Sequence, residues 1–271
     1  MLIGAIFGSL VGLVLGLTGA GGGMLAVPAL VIGLGWTMPQ AAPVSLLAVG
    51  LSASIGAVDG MRKGLVRWRA ALLMATLGVV VSPLGVLVAR ALRPDVLVTL
   101  FAAAMMIAAS RLLLQKPELT SQSGSPLVDK NCMLDASTGR LRWTRRCATT
   151  LAGIGAASGL LTGMLGIAGG FVLVPAFKQW TDIRMHGIVA TSLMVVALVS
   201  LGSAAAAAAG GMHLDAIGLG FVGAAMAGML VGRWLVPFMP ARALQVSFAV
   251  MSSCVALFLL ARTWWPALLP V

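Results

Sequence analysis

Charged residues are scarce in this chain of 271 residues. Only 9% of them are Asp, Glu, Lys or Arg, and 60% are hydrophobic, whereas about 25% of an average soluble domain is charged. The mean hydropathy is +1.05. Because about 20 apolar residues cross a bilayer, the chain has room for about eight to ten apolar segments and for no separate soluble domain. The composition therefore predicts an all-α integral membrane protein.

Residue types that carry catalysis or bind metals are also scarce. The chain has three Cys and two His, and it contains no CxxC pair, GxSxG, HExxH or P-loop lysine motif. We therefore expect no enzyme activity, no metal site and no cofactor. Cys132 and Cys147 flank a long polar stretch and Cys254 lies in an apolar segment, so we also expect no disulfide framework.

Positive charge is concentrated in two breaks between apolar segments. The formal net charge is +11, but Lys and Arg are characteristically retained in cytoplasmic loops of membrane proteins. The pattern therefore favours a membrane topology over nucleic-acid binding, and it predicts that residues 60–69 and 115–146 face the cytoplasm. The cations concerned are Arg62, Lys63, Arg67 and Arg69 in the first break, and Lys116, Lys130, Arg140, Arg142, Arg145 and Arg146 in the second.

The apolar runs number five before the long polar stretch and five after it. The second run of each half, near 24–35 and 171–177, is too short for a hydrocarbon core of about 30 Å at about 1.5 Å per residue. We interpret each as a broken or re-entrant helix, which needs protein or a water-filled cavity around its backbone. The predicted organisation is a first transmembrane repeat at 1–114, a cytoplasmic linker at 115–146 and a second repeat at 147–271.

The two halves are related by an ungapped shift of 147 residues. This shift places Gly19, Gly22, Gly23, Pro28 and Ser45 on Gly166, Gly169, Gly170, Pro175 and Ser192. The break at 60–69 holds four cations and its counterpart at 210–215 holds none, which predicts that the repeats are inverted. Inverted repeats are a common transporter plan, with the substrate site near the midplane where broken helices meet.

The most specific motif is a glycine-rich segment found in both halves. It reads GLTGAGGGMLAVPAL at 16–30 and GMLGIAGGFVLVPAF at 163–177. Glycines that leave backbone amides uncovered before a short helix can bind an anion without a charged side chain. Glycines that recur every four residues, at 8, 12, 16 and at 155, 159, 163, instead indicate close helix packing. The candidate substrate-binding glycines are Gly19, Gly21, Gly22, Gly23, Gly166, Gly169 and Gly170, with Pro28 and Pro175 as helix breaks.

Hydroxyl groups near the start of the third segment are further candidates. Ser45 in the first half and the Thr191-Ser192 pair in the second are interpreted as substrate ligands, although such a hydroxyl often bonds the carbonyl one turn back. Gln40 and His186 lie near the same segment ends and are candidate proton or anion contacts. No charged residue falls at the centre of an apolar run, whereas proton-coupled carriers normally bury a carboxylate there.

The paired glycine segments ending in Val-Pro, the third-segment Ser-Leu in each copy and the five-plus-five layout resemble the TauE/SafE family of sulfite exporters. The resemblance covers nearly the whole chain. It implies a multi-pass secondary transporter or facilitator in the cell inner membrane, whose partners are the lipid bilayer and a small organosulfur anion such as sulfite, a sulfonate or sulfoacetate. Export is the direction it suggests, and it allows a homodimer. A non-transporting membrane scaffold or assembly protein and an anion channel remain as alternatives.

Overall fold

A computed structural model describes residues 2–114, 132–133, 143–166, 169–181, 185–209, 215–235 and 241–264. Helices account for nearly all of these residues. In the first half they are α1 (Leu2–Thr18), a 3-10 segment (Gly19–Leu25), α2 (Ala26–Leu34), α3 (Met38–Arg62), α4 (Trp68–Ala91) and α5 (Pro94–Leu114). In the second half they are α6 (Arg145–Leu165), α7 (Gly170–Trp180), α8 (Met185–Ala209), α9 (Ala216–Leu235) and α10 (Ala241–Trp264).

Five of the described helices, α3, α4, α6, α8 and α9, are long and apolar enough to cross a membrane, and shorter apolar stretches lie in α1, α2, α5 and α10. The predicted all-α membrane fold, with a short helix after each glycine motif, is confirmed. Buried side chains in α3 and α8 are mostly Ala and Val, which lets these two helices pack at the centre of the bundle.

The first two helices of each repeat form a hairpin. In the first hairpin, Gly4 of α1 lies beside Leu34 of α2, so α2 runs back along α1. The chain turns at Gly19, whose φ of +76° is a left-handed conformation that glycine adopts without a Cβ clash. The second hairpin turns at Gly166, its counterpart under the 147-residue shift, with φ of +65°. Each hairpin therefore has a glycine tip, and the tips are equivalent positions in the two repeats.

Helices α3 and α8 show how the repeats are oriented. Gly50 lies against Leu201 and Gly60 lies against Ala190, so the two helices run antiparallel. They are also counterparts under the 147-residue shift. Two equivalent helices that cross the bundle in opposite directions require inverted repeats, and the predicted inversion is confirmed.

The outer glycines of α1 and α6 serve close packing, as predicted. Residues 8, 12 and 16 of α1 contact the backbone of α9, and residues 155, 159 and 163 of α6 contact the backbone of α4. A methyl group at Gly12 would overlap the carbonyl of Ala225, and one at Gly159 would overlap Gly78. Each repeat thus packs its first helix along the fourth helix of the other repeat, in parallel.

These directions assign the loops to two faces of the bundle. The loop between α3 and α4 lies at the same face as the start of α6 and the end of α7. Because this loop and the helix ends beside it carry Arg62, Lys63, Arg67 and Arg69, we call this end the basic face. The start of α1 and the end of α10 lie at the opposite face. Cation retention predicts that the basic face is cytoplasmic.

A disulfide bond between Cys132 and Cys147 lies at the basic face. The backbone N–H of Cys132 also donates to the carbonyl of Trp180 at 3.2 Å, which places Cys132 beside the end of α7. The expectation that the cysteines form no disulfide was wrong. The spacing of the two cysteines in sequence gives no sign of this bond. It depends on the fold, because the backbone hydrogen bond to Trp180 at the end of α7 places Cys132 close to Cys147 at the start of α6.

Candidate substrate site at the hairpin tips

The tip of each hairpin packs against the third helix of the other repeat, α8 for the first tip and α3 for the second. A Cβ at Gly19 would lie 2.6 Å from Val189 of α8, and a Cβ at Gly166 would overlap Ala42 of α3. Val189 and Ala42 are counterparts under the 147-residue shift. The two sites are therefore equivalent by sequence, and each is built from both repeats.

The two tips lie on opposite sides of the bundle centre. Gly166 contacts the beginning of α3 and Gly19 contacts the beginning of α8, and these beginnings are at opposite faces because the helices are antiparallel. Since Gly60 faces Ala190, about thirteen residues of helix separate the levels of Ser45 and Ser192, or roughly 20 Å at about 1.5 Å per residue. The return arms of the two hairpins do meet, since the 3-10 segment contacts α7, whereas the two glycine tips lie at different levels of the bundle.

Ser45 belongs to the second tip and its hydroxyl is occupied. Its Oγ lies 2.7 Å from the carbonyl oxygen of Gly166 and 2.8 Å from that of Ala42. A serine has one O–H to donate, so the two carbonyls share this hydrogen, and the bond to Gly166 joins the tip to α3.

Ser192, the counterpart of Ser45, has no such bond. It is 0% exposed, and its Oγ has no hydrogen-bond partner. Ser192 lies one helical turn after Val189, so both residues share the face of α8 that meets the tip at Gly19. A buried polar atom without a partner costs about 1–3 kcal/mol, which makes this hydroxyl a position where a ligand would bind favourably.

Thr191 and Arg67 lie beside Ser192 at the basic face. The backbone N–H of Arg67 donates to Thr191 Oγ1 at 3.1 Å, and the Nε of Arg67 is buried without a partner. The corresponding positions in the other repeat are Val44 and Leu214. The positions of Thr191 and Arg67 therefore carry a hydroxyl and a guanidinium group, whereas the two equivalent positions carry uncharged apolar side chains.

One of the glycine amides that were expected to be free is hydrogen-bonded at the second tip. The N–H of Gly169 donates to Thr162 Oγ1 at 2.9 Å, so this amide is occupied. Residue 15, the counterpart of Thr162, is a leucine without a hydroxyl. A Cβ at Gly22 would overlap the backbone of Leu15, and one at Gly169 would lie 2.5 Å from the carbonyl oxygen of Ser158. Both glycines thus allow the return arm of a hairpin to approach the outgoing helix closely.

The other candidate glycines and prolines lie along the return arms. Gly21 and Gly23 are in the 3-10 segment, Gly170 begins α7, and Gly23 and Gly170 are buried. Pro28 lies in the first turn of α2, after the change from 3-10 to α-helix, and Pro175 lies within α7.

Gln40 and His186 are at the outer ends of α3 and α8 and are both exposed. Gln40 Oε1 accepts the backbone N–H of Thr37 at 3.3 Å and so caps the start of α3. Neither side chain is brought to a tip by the contacts of the described residues, and their roles as proton or anion contacts stay predictions.

Two central serines were missed by sequence reasoning. Ser52 of α3 and Ser200 of α8 are 0% exposed, and their hydroxyls have no partner. Their presence inside long apolar helices was the available signal, but such hydroxyls usually bond their own helix, as Ser54 does to the carbonyl of Gly50. The hydroxyls of Ser52 and Ser200 are therefore unpaired hydrogen-bond donors that lie between the two tips along the direction across the bundle.

Comparison with known proteins agrees with this architecture. The family model described as Sulfite exporter TauE/SafE matches residues 4–259. A "Probable membrane transporter protein" of Xylella fastidiosa strain Temecula1 is 30% identical over 190 residues, covering 70% of this chain and 67% of its own. A protein of the same description from strain 9a5c is 30% identical over 195 residues, covering 72% and 69%. No solved structure matches the chain. The chain belongs to the TauE/SafE family of membrane transporters.

Proposed function

We propose that this protein is a secondary transporter or facilitator that exports a small organosulfur anion of the sulfite, sulfonate or sulfoacetate class across the cell inner membrane. The observation that carries the proposal is the buried, unpartnered hydroxyl of Ser192 beside a glycine tip. Hydroxyl and amide groups donate hydrogen bonds to anions, and such bonds are worth about 1.5–3 kcal/mol each. Ser52 and Ser200 supply further donors along α3 and α8.

The driving force that fits these groups is the membrane potential. Asp59, Asp95 and Asp215, the described carboxylates, lie at or near helix ends, so the described residues offer no carboxylate at mid-membrane to carry a proton with the anion. One unit charge moved through about 100 mV is worth about 2.3 kcal/mol. Because the cell interior is negative, this energy favours outward movement of an anion, by about fifty-fold for a monoanion.

Flux into proteoliposomes tests the proposal. Radiolabelled sulfite, sulfate, taurine, sulfoacetate and acetate are compared at equal pH on both sides, with the potential clamped by valinomycin and a potassium gradient. We expect saturable flux of sulfite or a sulfonate, with a rate and direction set by the clamped potential. Flux that follows a pH gradient and ignores the potential would contradict the uniport mechanism. Absence of flux for the whole panel would contradict the transport assignment to organosulfur anions.

A further inference from the structure

The two hairpin tips are equivalent by sequence but unequal in their free donors. At the second tip, the Ser45 hydroxyl bonds Gly166 and the Gly169 amide bonds Thr162. At the first tip, the hydroxyl of Ser192 is buried and unpaired. Unpaired donors at one of two equivalent places indicate that an acceptor from outside the chain completes the hydrogen bonding there.

Charge separates the two tips in the same way. Arg67 lies beside the first tip, its backbone N–H bonded to Thr191 Oγ1 at 3.1 Å and its Nε buried without a partner. Nearby Arg69 has a different environment, since its guanidinium lies 5.2 Å from the ring centroid of Trp68. A buried guanidinium nitrogen without a partner is costly, whereas a planar guanidinium donates two parallel hydrogen bonds to an oxyanion.

We propose that the first tip is an anion-binding site at the basic face, in which Arg67 and Ser192 together bind the oxygen atoms of a sulfonate or sulfite group, next to Gly19 and Thr191. The inference rests on the proposed function and refines it, because it adds a positively charged side chain to the neutral donors on which that proposal rests. The anion would enter from the basic face and meet a cation before it meets the central serines.

The position of Arg67 in the sequence explains why it was interpreted only as a cation that orients the protein in the membrane. Arg67 lies in a loop, between Arg62 and Arg69, and loops with several cations usually indicate membrane orientation. The fold then places Val66 of this loop against Gly60 and Arg67 against Thr191. The backbone of one cation-bearing residue of the loop thereby contacts the start of α8.

Equilibrium binding to the purified full-length protein tests the site without any flux measurement. Isothermal titration with methanesulfonate and with sulfite is compared with neutral dimethyl sulfone, for the wild type and for Arg67→Gln and Ser192→Ala. Two matched controls are Arg69→Gln, two residues further along the chain in α4, and Ser54→Ala, whose hydroxyl bonds the carbonyl of Gly50 in its own helix. We expect Arg67→Gln to raise the Kd for the anions at least about tenfold and Ser192→Ala to raise it several-fold, with both controls within about twofold of the wild type.

Folding of each variant is checked by a single symmetric elution peak, and Arg67→Lys is included in case Arg67→Gln does not fold. Arg67→Lys keeps the charge but loses the planar pair of donors, so an intermediate Kd is expected. As a second readout, methanesulfonate should slow modification of a cysteine in Ser192→Cys by a charged methanethiosulfonate reagent.

Equal effects of Arg67→Gln and Arg69→Gln, or of Ser192→Ala and Ser54→Ala, would overturn the site, as would a wild type that binds neither anion saturably. A protein that binds the anions through Arg67 but does not move them across a liposome would keep the site and refute the proposed function. If the Arg67→Gln variant transports the anions normally, the proposed function is kept and the site is refuted.

Discussion

Arg233 of α9 donates hydrogen bonds to two groups near the end of α3, the carboxylate of Asp59 and the carbonyl of Gly56, the latter at 3.0 Å. Lys63 also binds the Asp59 carboxylate at 2.9 Å. This cluster joins the first repeat to the second at the basic face. The counterparts of Asp59 and Arg233 under the 147-residue shift are Ala206 and Val86. The ion pair therefore joins the repeats at the basic face, and the two equivalent positions at the opposite face carry uncharged side chains.

Loss of the ion pair should loosen the basic face. Asp59→Asn removes the charge that Arg233 and Lys63 share, and a partly exposed ion pair is worth up to about 1 kcal/mol, or about fivefold in an opening equilibrium. The reporter is a cysteine in Leu193→Cys, because Leu193 is buried and packs beside Gly56. Its rate of modification by maleimide should rise about fivefold in Asp59→Asn.

The control for this experiment is Arg93→Gln, which breaks the exposed Arg93–Asp95 pair near the opposite face. That variant should leave the modification rate unchanged. An unchanged rate in Asp59→Asn as well would show that the ion pair does not hold the basic face closed.

Because α6 packs closely on α4, replacing one glycine of α6 should lower the thermal stability of the protein, whereas replacing another should not. Gly159→Ala places a methyl group into the backbone of Gly78, whereas Gly153 has open space at its Cβ position. Overpacking costs typically about 1–3 kcal/mol, so Gly159→Ala should lower the Tm of the detergent-solubilised protein by several degrees. Gly153→Ala should leave the Tm equal or slightly higher, because alanine favours helix. Equal melting of the two variants would contradict the packing role.

The side of the membrane occupied by the basic face is tested by labelling. In a background with Ser at positions 132, 147 and 254, single cysteines are placed in Arg62→Cys at the basic face and in Asp215→Cys at the opposite face, where both native residues are exposed. An impermeant maleimide added to intact cells should label Asp215→Cys and leave Arg62→Cys unlabelled until the membrane is permeabilised. The reverse labelling would place the basic face outside.

The Cys132–Cys147 bond tests the same orientation in another way. Cytosolic thiols are kept reduced, whereas secreted and periplasmic ones form disulfides. If the basic face is cytoplasmic, both thiols should be free in growing cells trapped with a permeant maleimide, and they should form the disulfide after purification in air. The free Cys254 serves as the internal standard for labelling. A bond already formed in cells, and reduced by an impermeant phosphine, would contradict a cytoplasmic basic face.

Most of the fold followed from the sequence because apolar length, glycine spacing and cation distribution are local signals. The positions of the long helices, the short arms at 24–35 and 171–177, and the inversion of the repeats were all predicted. The site was less accessible, because it depends on contacts between repeats. Whether a serine is free is decided by its neighbours, so Ser45 and Ser192 look alike in sequence although one bonds Gly166 and the other is unpaired.

Two copies of one sequence that cross the bilayer in opposite directions can exchange their conformations. In the exchanged state the Ser192 hydroxyl would bond the carbonyl of Gly19, and Ser45 would release Gly166. The free hydroxyl would then be at the other end of the molecule, where the sequence has Leu214 at the position equivalent to Arg67, so the anion would leave from a tip without this arginine. Cysteines in Ala42→Cys and Val189→Cys should accordingly change their maleimide reactivity in opposite directions when a gradient of the transported anion is imposed.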